Sequence, residues 1–341
     1  MATERPRPVT LLDVANEAGV SVSTASRALT GARRVRGDLE RRVRDAVENL
    51  GYRPNEAARG LRMARTMTLG IFFHRLNSPV SLDLIDGLGA AAHEARYSLA
   101  VTSARGDKAQ YASLFQHFYG QRVDALMMIW PRGDLSGHLA PFARAGVPAF
   151  AMRWLPGEPG LTVISADNSV ASTEAVNALA ALGHKRLTIF SHGVLWTPAT
   201  LRRPYFDRAG EAAGIEIRRR TSRDSGFTVR ELVADELASP EPPTAFVVQY
   251  SEFSDVMAAL AALGKRVPDD VSVVGFTDSK FASTAQRDQA AVIDVDSFEL
   301  GRRMAGVMLE AIENGPPSED VRIHGLSRWI PGGTIGPAPK A

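Results

Sequence analysis

The chain has 341 residues, of which 45% are hydrophobic and 23% charged, with a formal net charge of +2; this is the composition of an ordinary folded protein with room for two or three domains. It has no cysteine, which excludes disulfides, thiolate metal sites and cysteine nucleophiles. The charge is uneven: residues 1–66 carry 13 Arg and no Lys against 8 acids, whereas the remainder carries 27 Lys and Arg against 30 acids. A basic head on a mildly acidic body is suited to meeting a polyanion. The first eight residues are polar and basic, unlike a signal core, and no apolar run reaches the ~18–20 residues that span a bilayer. A cytoplasmic protein without membrane contact is expected.

In chain order, Thr10-Leu11-Leu12-Asp13 reads as a capping box that opens a first helix. Leu11, Val14, Ala15 and Ala18 then form one apolar stripe, and Gly19 ends it. Ser21 caps a second helix whose inner face is expected to be Ala25, Ala28 and Leu29. A third stripe runs through Leu39, Val43, Ala46, Val47 and Leu50 until Gly51 and Pro54 stop it. Two short helices around a tight Ala18-Gly19-Val20 turn, backed by a third, form a helix-turn-helix pattern. A generic helical bundle would look similar, but the small turn residues and the hydroxyl-rich second helix favour DNA.

From Thr68 the texture changes. Short apolar runs recur at Leu69–Phe73, Leu99–Thr102, Ala125–Ile129, Val147–Met152, Leu187–Phe190, Ala245–Val248 and Val271–Gly275. Helical stretches such as Leu82–Ala95, Ala171–Leu182 and Val229–Leu237 lie between them. Alternating strand and helix predicts parallel sheets covered on both faces. About 270 residues of this pattern exceed one comfortable sheet, so two similar lobes are expected.

The runs Val9-Thr-Leu-Leu-Asp-Val-Ala15 and Ala18-Gly-Val-Ser-Val-Ser-Thr-Ala-Ser-Arg27 strongly resemble the head of the lactose-repressor (LacI/GalR) family. Leu50-Gly-Tyr-Arg-Pro-Asn55 and Ala58-Arg-Gly-Leu61 continue the match. In the body, Leu182-Gly-His-Lys-Arg186, Val267-Pro-Asp-Asp-Val-Ser-Val-Val-Gly-Phe276 and Leu300-Gly301 follow in the family's order. The resemblance covers nearly the whole chain. It implies an all-α helix-turn-helix head (residues 1–54), a hinge helix or linker (55–66) and a two-lobed α/β domain of the periplasmic-binding-protein type (67–341). It also implies a homodimer on a pseudo-palindromic double-stranded operator, repression as the default, and control by a small-molecule effector.

By this resemblance, Val22, Ser23 and Arg27 face base edges. Arg27 can pair bidentately with guanine, Ser23 can donate or accept, and Val22 can pack on a thymine methyl. Val22 could instead pack inside the head. Ser21, Thr24 and Ser26 would hold phosphates through hydroxyls and a helix N-terminus. Thr10, Asn55 and Ala58 complete the implied DNA contacts. Leu61 would wedge into the minor groove at the operator centre; packing between linker and body is the alternative. A segment this short, weakened by Gly60, is a marginal helix, so folding coupled to DNA binding is expected.

The same resemblance places effector contacts at Arg202, Phe227, Gln249, Thr277 and Asp278, with Arg203 able to exchange roles with Arg202. Several positions depart from the family. Thr277 stands where an acid is usual, Ser78-Pro-Val-Ser81 lacks a pair of aromatics, and Tyr205 replaces a glycine. These departures imply a ligand other than a standard hexose, or altered sensing. Asp167-Asn168 matches a family pair, though a helix cap explains it equally well.

No catalytic constellation emerges, so an enzyme is not expected. Gly87-Leu-Gly-Ala-Ala-Ala92 superficially fits a dinucleotide fingerprint but falls within a predicted helix. The histidines are scattered without metal-ligand spacing, and no metal or cofactor is expected. The alternative to a regulator is a ligand-binding protein of the periplasmic type that does not regulate DNA. The tail after Trp329 has no leucine heptads, so a tetramer built on a C-terminal coiled coil is not predicted.

Overall fold

The computed structural model describes residues 9–30, 35–53, 65–76, 79–152, 160–191, 203–221, 227–277 and 290–340. The chain divides into two compact units, Met1–Thr66 and Met67–Ala341.

The first unit contains α1 (Leu11–Glu17), α2 (Val22–Thr30) and α3 (Gly37–Leu50). The capping box forms as the sequence suggests: Asp13 N–H donates to Thr10 Oγ1 at 3.3 Å, and Thr10 N–H donates to the Asp13 carboxylate at 2.8 Å. Val14, Ala15, Ala18, Ala25, Val43 and Ala46 form the small core. The second stripe is narrower than expected, because Leu29 is exposed and only Ala25 is fully buried. Gly19 turns left-handed (φ +60°) between α1 and α2, and the Arg42 guanidinium occupies the space a side chain there would need.

The second unit holds two six-stranded sheets. In chain order its elements begin with β1 (Thr68–Phe73), α4 (Pro79–Glu94), β2 (Ser98–Ser103), α5 (Tyr111–Gln121), β3 (Ala125–Ile129), α6 (Ser136–Arg144), β4 (Ala149–Met152) and β5 (Thr162–Ala166). The second half comprises α7 (Ser169–Ala181), β6 (Arg186–Ser191), α8 (Arg203–Ala213), β7 (Glu216–Thr221), α9 (Val229–Leu237), β8 (Ala245–Gln249), α10 (Tyr250–Ala262), β9 (Ser272–Thr277) and β10 (Ala291–Val295). The last elements are α11 (Ser297–Asn314), β11 (Val321–Ile323) and β12 (Ser327–Ile330).

Strand order is β11-β5-β4-β3-β1-β2 in the first lobe and β12-β10-β9-β8-β6-β7 in the second. Among the described strands, only β12 runs antiparallel to its neighbour. Leaving aside the last strand of each, both sheets follow the doubly wound order 2-1-3-4-5. The chain reverses direction at β1/β3 in one lobe and at β6/β8 in the other, which opens a crevice at the carboxyl ends of those strands.

The late helix α11 returns to the first lobe, where Leu300, Met304 and Met308 join a core containing Leu84, Leu88 and Phe150. It crosses α4 backbone against backbone. A Cβ at Gly87 would lie 1.9 Å from Phe298 O, and one at Gly301 would lie 2.3 Å from Leu84 O. These glycines serve helix packing, and since α4 starts at Pro79, Gly87 is far from any strand-to-helix turn.

The Leu-Gly-His-Lys string also has a structural explanation. His184 is fully buried, with Nδ1 2.8 Å from Thr244 Oγ1 and Nε2 3.0 Å from Gly336 O. It pins the C-terminal tail to the second lobe. Val273 N–H donates to Thr334 O at 2.8 Å, Thr334 Oγ1 donates to Val273 O at 2.6 Å, and Ala338 N–H donates to Leu182 O at 2.8 Å. Burial drives the His184 pKa below its ordinary value, only partly opposed by the carbonyl of Gly336.

Candidate nucleic-acid interface and ligand site

Helix α2 presents its polar face outward. Ser21, Ser23 and Arg27 are exposed, while Thr24 and Ser26 are half-buried. Ser21 caps the helix, accepting from Thr24 N–H at 3.1 Å, and its hydroxyl lies 3.0 Å from Ser23 Oγ and 2.9 Å from Thr24 Oγ1. The Arg27 Nε–H donates to the Ser23 carbonyl at 3.1 Å, which lays the guanidinium along the exposed face and leaves its terminal amino groups forward. Val22 is half-buried against the head core, so only part of its surface remains for a base methyl. The Thr10 hydroxyl donates to Asp13 Oδ2 at 2.6 Å, which leaves it no proton for a phosphate oxygen in this arrangement.

The electrostatics of the three helices differ in a useful way. Asp13 sits in the first turn of α1, and Asp38 and Glu40 sit in that of α3, but the first turn of α2 has no acid. The positive end of α2 therefore keeps its free amides and partial charge for an outside anion. Asn55, Ala58 and Leu61 lie outside the described residues, as does the whole segment expected to form the hinge helix.

In the second unit, Gln249 ends β8 half-buried, with no capping bond from its side chain to α10. It pairs in register with Phe276, so the backbone of Thr277 at the end of β9 lies beside it. Strand geometry thus brings two expected effector residues together at the second lobe's switch point. Arg202 and Asp278 lie outside the described residues, and of Thr277 only the backbone is described.

Phe227 lies toward the edge of this sheet, beside β7. It is 56% exposed, and with Arg219, Arg220, Thr221, Glu231, Leu232 and Asp235 it lines a groove of about 400 Å³ between edge strand β7 and α9. The arginines of this groove are held by carboxylates: Arg219 by Asp207, and Arg220 by Asp235 and by buried Glu236. Glu236 also accepts from Thr188 Oγ1.

Of the Asp167-Asn168 pair, Asp167 caps the following helix, whereas the Asn168 side chain makes no capping bond and its Oδ1 is buried without a partner among the described residues. Asp167 accepts from Ser169 N–H at 2.9 Å and meets His324 Nδ1 at 2.9 Å. Burial alone would raise its pKa, but the Ser169 hydrogen bonds, aided by His324 and Arg322, outweigh this and hold it below the usual value. Tyr205 is buried where the family has glycine, and burial is the main reason that its phenol is pushed above the ordinary pKa range. The same carboxylate is near enough to help raise it. The tyrosine is therefore part of the lobe's own packing.

A group that the sequence reading passed over stands at the switch point of the first lobe. Residues 74–76, 104–110 and 130–135 follow the carboxyl ends of β1, β2 and β3 and carry His74, Arg75, Arg105, Lys108 and Arg132. Tyr111 joins two of these loops, accepting from Arg132 N–H at 3.0 Å and lying 2.9 Å from His74 Nδ1. The available signal was a basic residue within three positions of the end of each of three apolar runs.

Comparison with known proteins agrees with this architecture. Residues 10–55 match the "Bacterial regulatory proteins, lacI family" and residues 176–335 the "Periplasmic binding protein-like domain". Catabolite control protein A of Priestia megaterium is 27% identical over 300 residues, covering 86% of this chain and 89% of that protein. The ribose operon repressor of Escherichia coli (strain K12) is 27% identical over 310 residues, covering 89% and 93%. The chain belongs to the lacI family. A solved lac repressor dimer bound to operator and the anti-inducer ONPF has the same fold, with a TM-score of 0.81 at 23% identity over 97% of this chain and 100% of that one. Members of the lacI family are transcriptional regulators, and this lacI-family chain is a DNA-binding regulator of transcription. No described helix is long and apolar enough to cross a membrane.

Proposed function

We propose that the chain is a cytoplasmic, non-enzymatic repressor that binds a pseudo-palindromic operator as a homodimer and adjusts its affinity when a small molecule occupies the strand ends of the body. The observation that carries the reading is α2, with its exposed Ser21, Ser23 and Arg27 and no acid in its first turn. Two copies of that helix related by a two-fold axis would enter major grooves one or more helical turns apart. Ser21, Thr24, Ser26 and the free amides of α2 hold phosphates and set register; Ser23, Arg27 and the exposed part of Val22 read bases. Asn55, Ala58 and Leu61 belong to a hinge segment, 55–66, between a head of residues 1–54 and an effector-binding body of 67–341. In that body Gln249, Thr277, Arg202 and Asp278 face the ligand, and Phe227 flanks it from the edge of the sheet.

Repression is supported by similar proteins that are repressors, among them the ribose operon repressor of Escherichia coli and the PurR repressor of Haemophilus influenzae. The test is selection of bound DNA from the organism's own upstream regions by the full chain, followed by gel shift. The expected result is tight binding to an inverted repeat, with affinity that falls steeply as salt rises. Failure to bind any inverted-repeat site at low salt, beside a retained ligand response, would leave the ligand-binding alternative standing instead.

A further inference from the structure

The ligand face of the first lobe has an excess of donors. Against His74, Arg75, Arg105, Lys108 and Arg132, its three loops offer only two carboxylates, Asp107 and Asp134. Both cap their own segments: Asp107 accepts from Ala109 N–H at 2.9 Å, and Asp134 accepts from Ser136 N–H at 2.9 Å. The Arg75 Nε–H and the Trp130 Nε1–H are shielded from solvent and have no acceptor among the described residues. Folded proteins rarely leave such donors unsatisfied, and those that do occur call for an unseen partner.

The geometry draws these groups toward one place. Phe73 pairs with Ile129, so Arg75 and Trp130 follow the ends of adjacent strands at the β1/β3 switch point. The Arg75 guanidinium lies over Gly106, whose added Cβ would come within 2.2 Å of Nη2. The Lys108 ammonium reaches the loop after β3, 3.3 Å from where a Cβ of Gly133 would stand. Lys108 thus spans from the end of β2 to the end of β3, across the end of β1 that carries Arg75. Neither Arg75 nor Lys108 forms an ion pair among the described residues. Trp130 is held at φ +50°, a backbone conformation that non-glycine residues rarely adopt and that clusters at binding sites.

We propose that the ligand of this face carries a carboxylate or phosphate group, seated at the β1/β3 switch point between Arg75 and Lys108, with the Trp130 indole as a neutral donor. A neutral sugar could satisfy the indole but would bring no countercharge to Arg75 or to the exposed Lys108; an anion meets all three groups with charge-assisted hydrogen bonds. The proposal rests on the reading that the body binds a small molecule. It also gives a chemical sense to the departures from a hexose site noted in the sequence.

The test uses the full chain, with thermal shift and calorimetric titration of matched probes: glucose beside glucose 6-phosphate and gluconate, ribose beside ribose 5-phosphate, and inorganic phosphate alone. Anionic probes should raise Tm while their neutral parents do not. Arg75→Gln and Lys108→Gln should each weaken the anion by about tenfold or more, and Trp130→Phe by a few-fold, with unchanged circular dichroism. Equal binding of a neutral parent, wild-type affinity in both cation variants, or silence of every anion including phosphate would overturn the proposal. Operator gel shifts with the same probes separate the two levels. A neutral metabolite that releases DNA sinks the anion site and keeps the regulator, whereas an anion that binds without altering operator affinity keeps the site and sinks the sensing reading.

Discussion

The head and the first lobe both present cationic, hydrogen-bonding surfaces, yet they are assembled by opposite means. The face of α2 is local: Ser21, Ser23 and Arg27 lie within seven consecutive positions, and one helical turn repeated twice brings them to one side. The ligand face of the first lobe is non-local, because Arg75, Lys108 and Trp130 come from three strand ends that only the sheet order makes neighbours. A local surface survives changes elsewhere in the fold, whereas a non-local one depends on how well the layers beneath it pack.

That contrast can be broken most forcefully at the crossing of α4 and α11. A Gly87→Val substitution drives a side chain into the backbone of Phe298 and should destabilise the body by about 3 kcal/mol or more. The anion response should go with it, while the circular dichroism and thermal unfolding of the head persist as a separate transition. A body that melts as wild type would show that the helices can separate at little cost. Next in size, Arg27→Ala should cost on the order of 1–3 kcal/mol at the operator and relax base preference at one position, without touching ligand binding. Equal losses on specific and nonspecific DNA would reduce Arg27 to a phosphate contact.

The smallest effect is confined to pH. His184 has a depressed pKa in the fold because burial disfavours its charged form. Its contribution is therefore complete above the unfolded value near ~6.5 and is lost as pH falls from there toward the folded value, below which no further loss accrues. Denaturant unfolding at about pH 7.5 and about pH 5.5, on either side of ~6.5, should show a smaller acid loss in His184→Gln than in wild type. An identical loss would mean that carboxylates alone govern the acid limb.

Much of the fold was legible because its signals are short-range. The Thr10–Asp13 box, the Gly19 turn and the three head stripes each need fewer than eight residues, and apolar runs such as Ala125–Ile129 mark strands buried on both faces. Leu29 was misjudged because periodicity assigns a face but not how wide a three-helix core can be. Strand β7 escaped notice for a related reason. As an edge strand it carries Arg218, Arg219 and Arg220, which discourage pairing with another chain and hide its β character from an apolar pattern. Strand β10 contains Asp294, which is buried and paired with Arg328 on β12 at 2.9 Å, a partner 34 residues away.

The candidate sites divide along the same line. By itself the sequence determined the helix-turn-helix head and an α/β body with two lobes, since these follow from caps, turns and periodicities of 3.6 and 2. The base-facing set Val22, Ser23 and Arg27 was implied by the family resemblance, and of it Ser23 and Arg27 are exposed while Val22 is half-buried. Only the tertiary structure decided that Gly87 and Gly301 mark a helix crossing, that Tyr205 is buried near Asp167, and that Phe227 lies on the groove beside β7. It alone placed Arg75, Lys108 and Trp130 around one crevice. The physical reason is that sheet order and helix crossing bring together residues far apart in the chain, and no local pattern records which strand ends become neighbours.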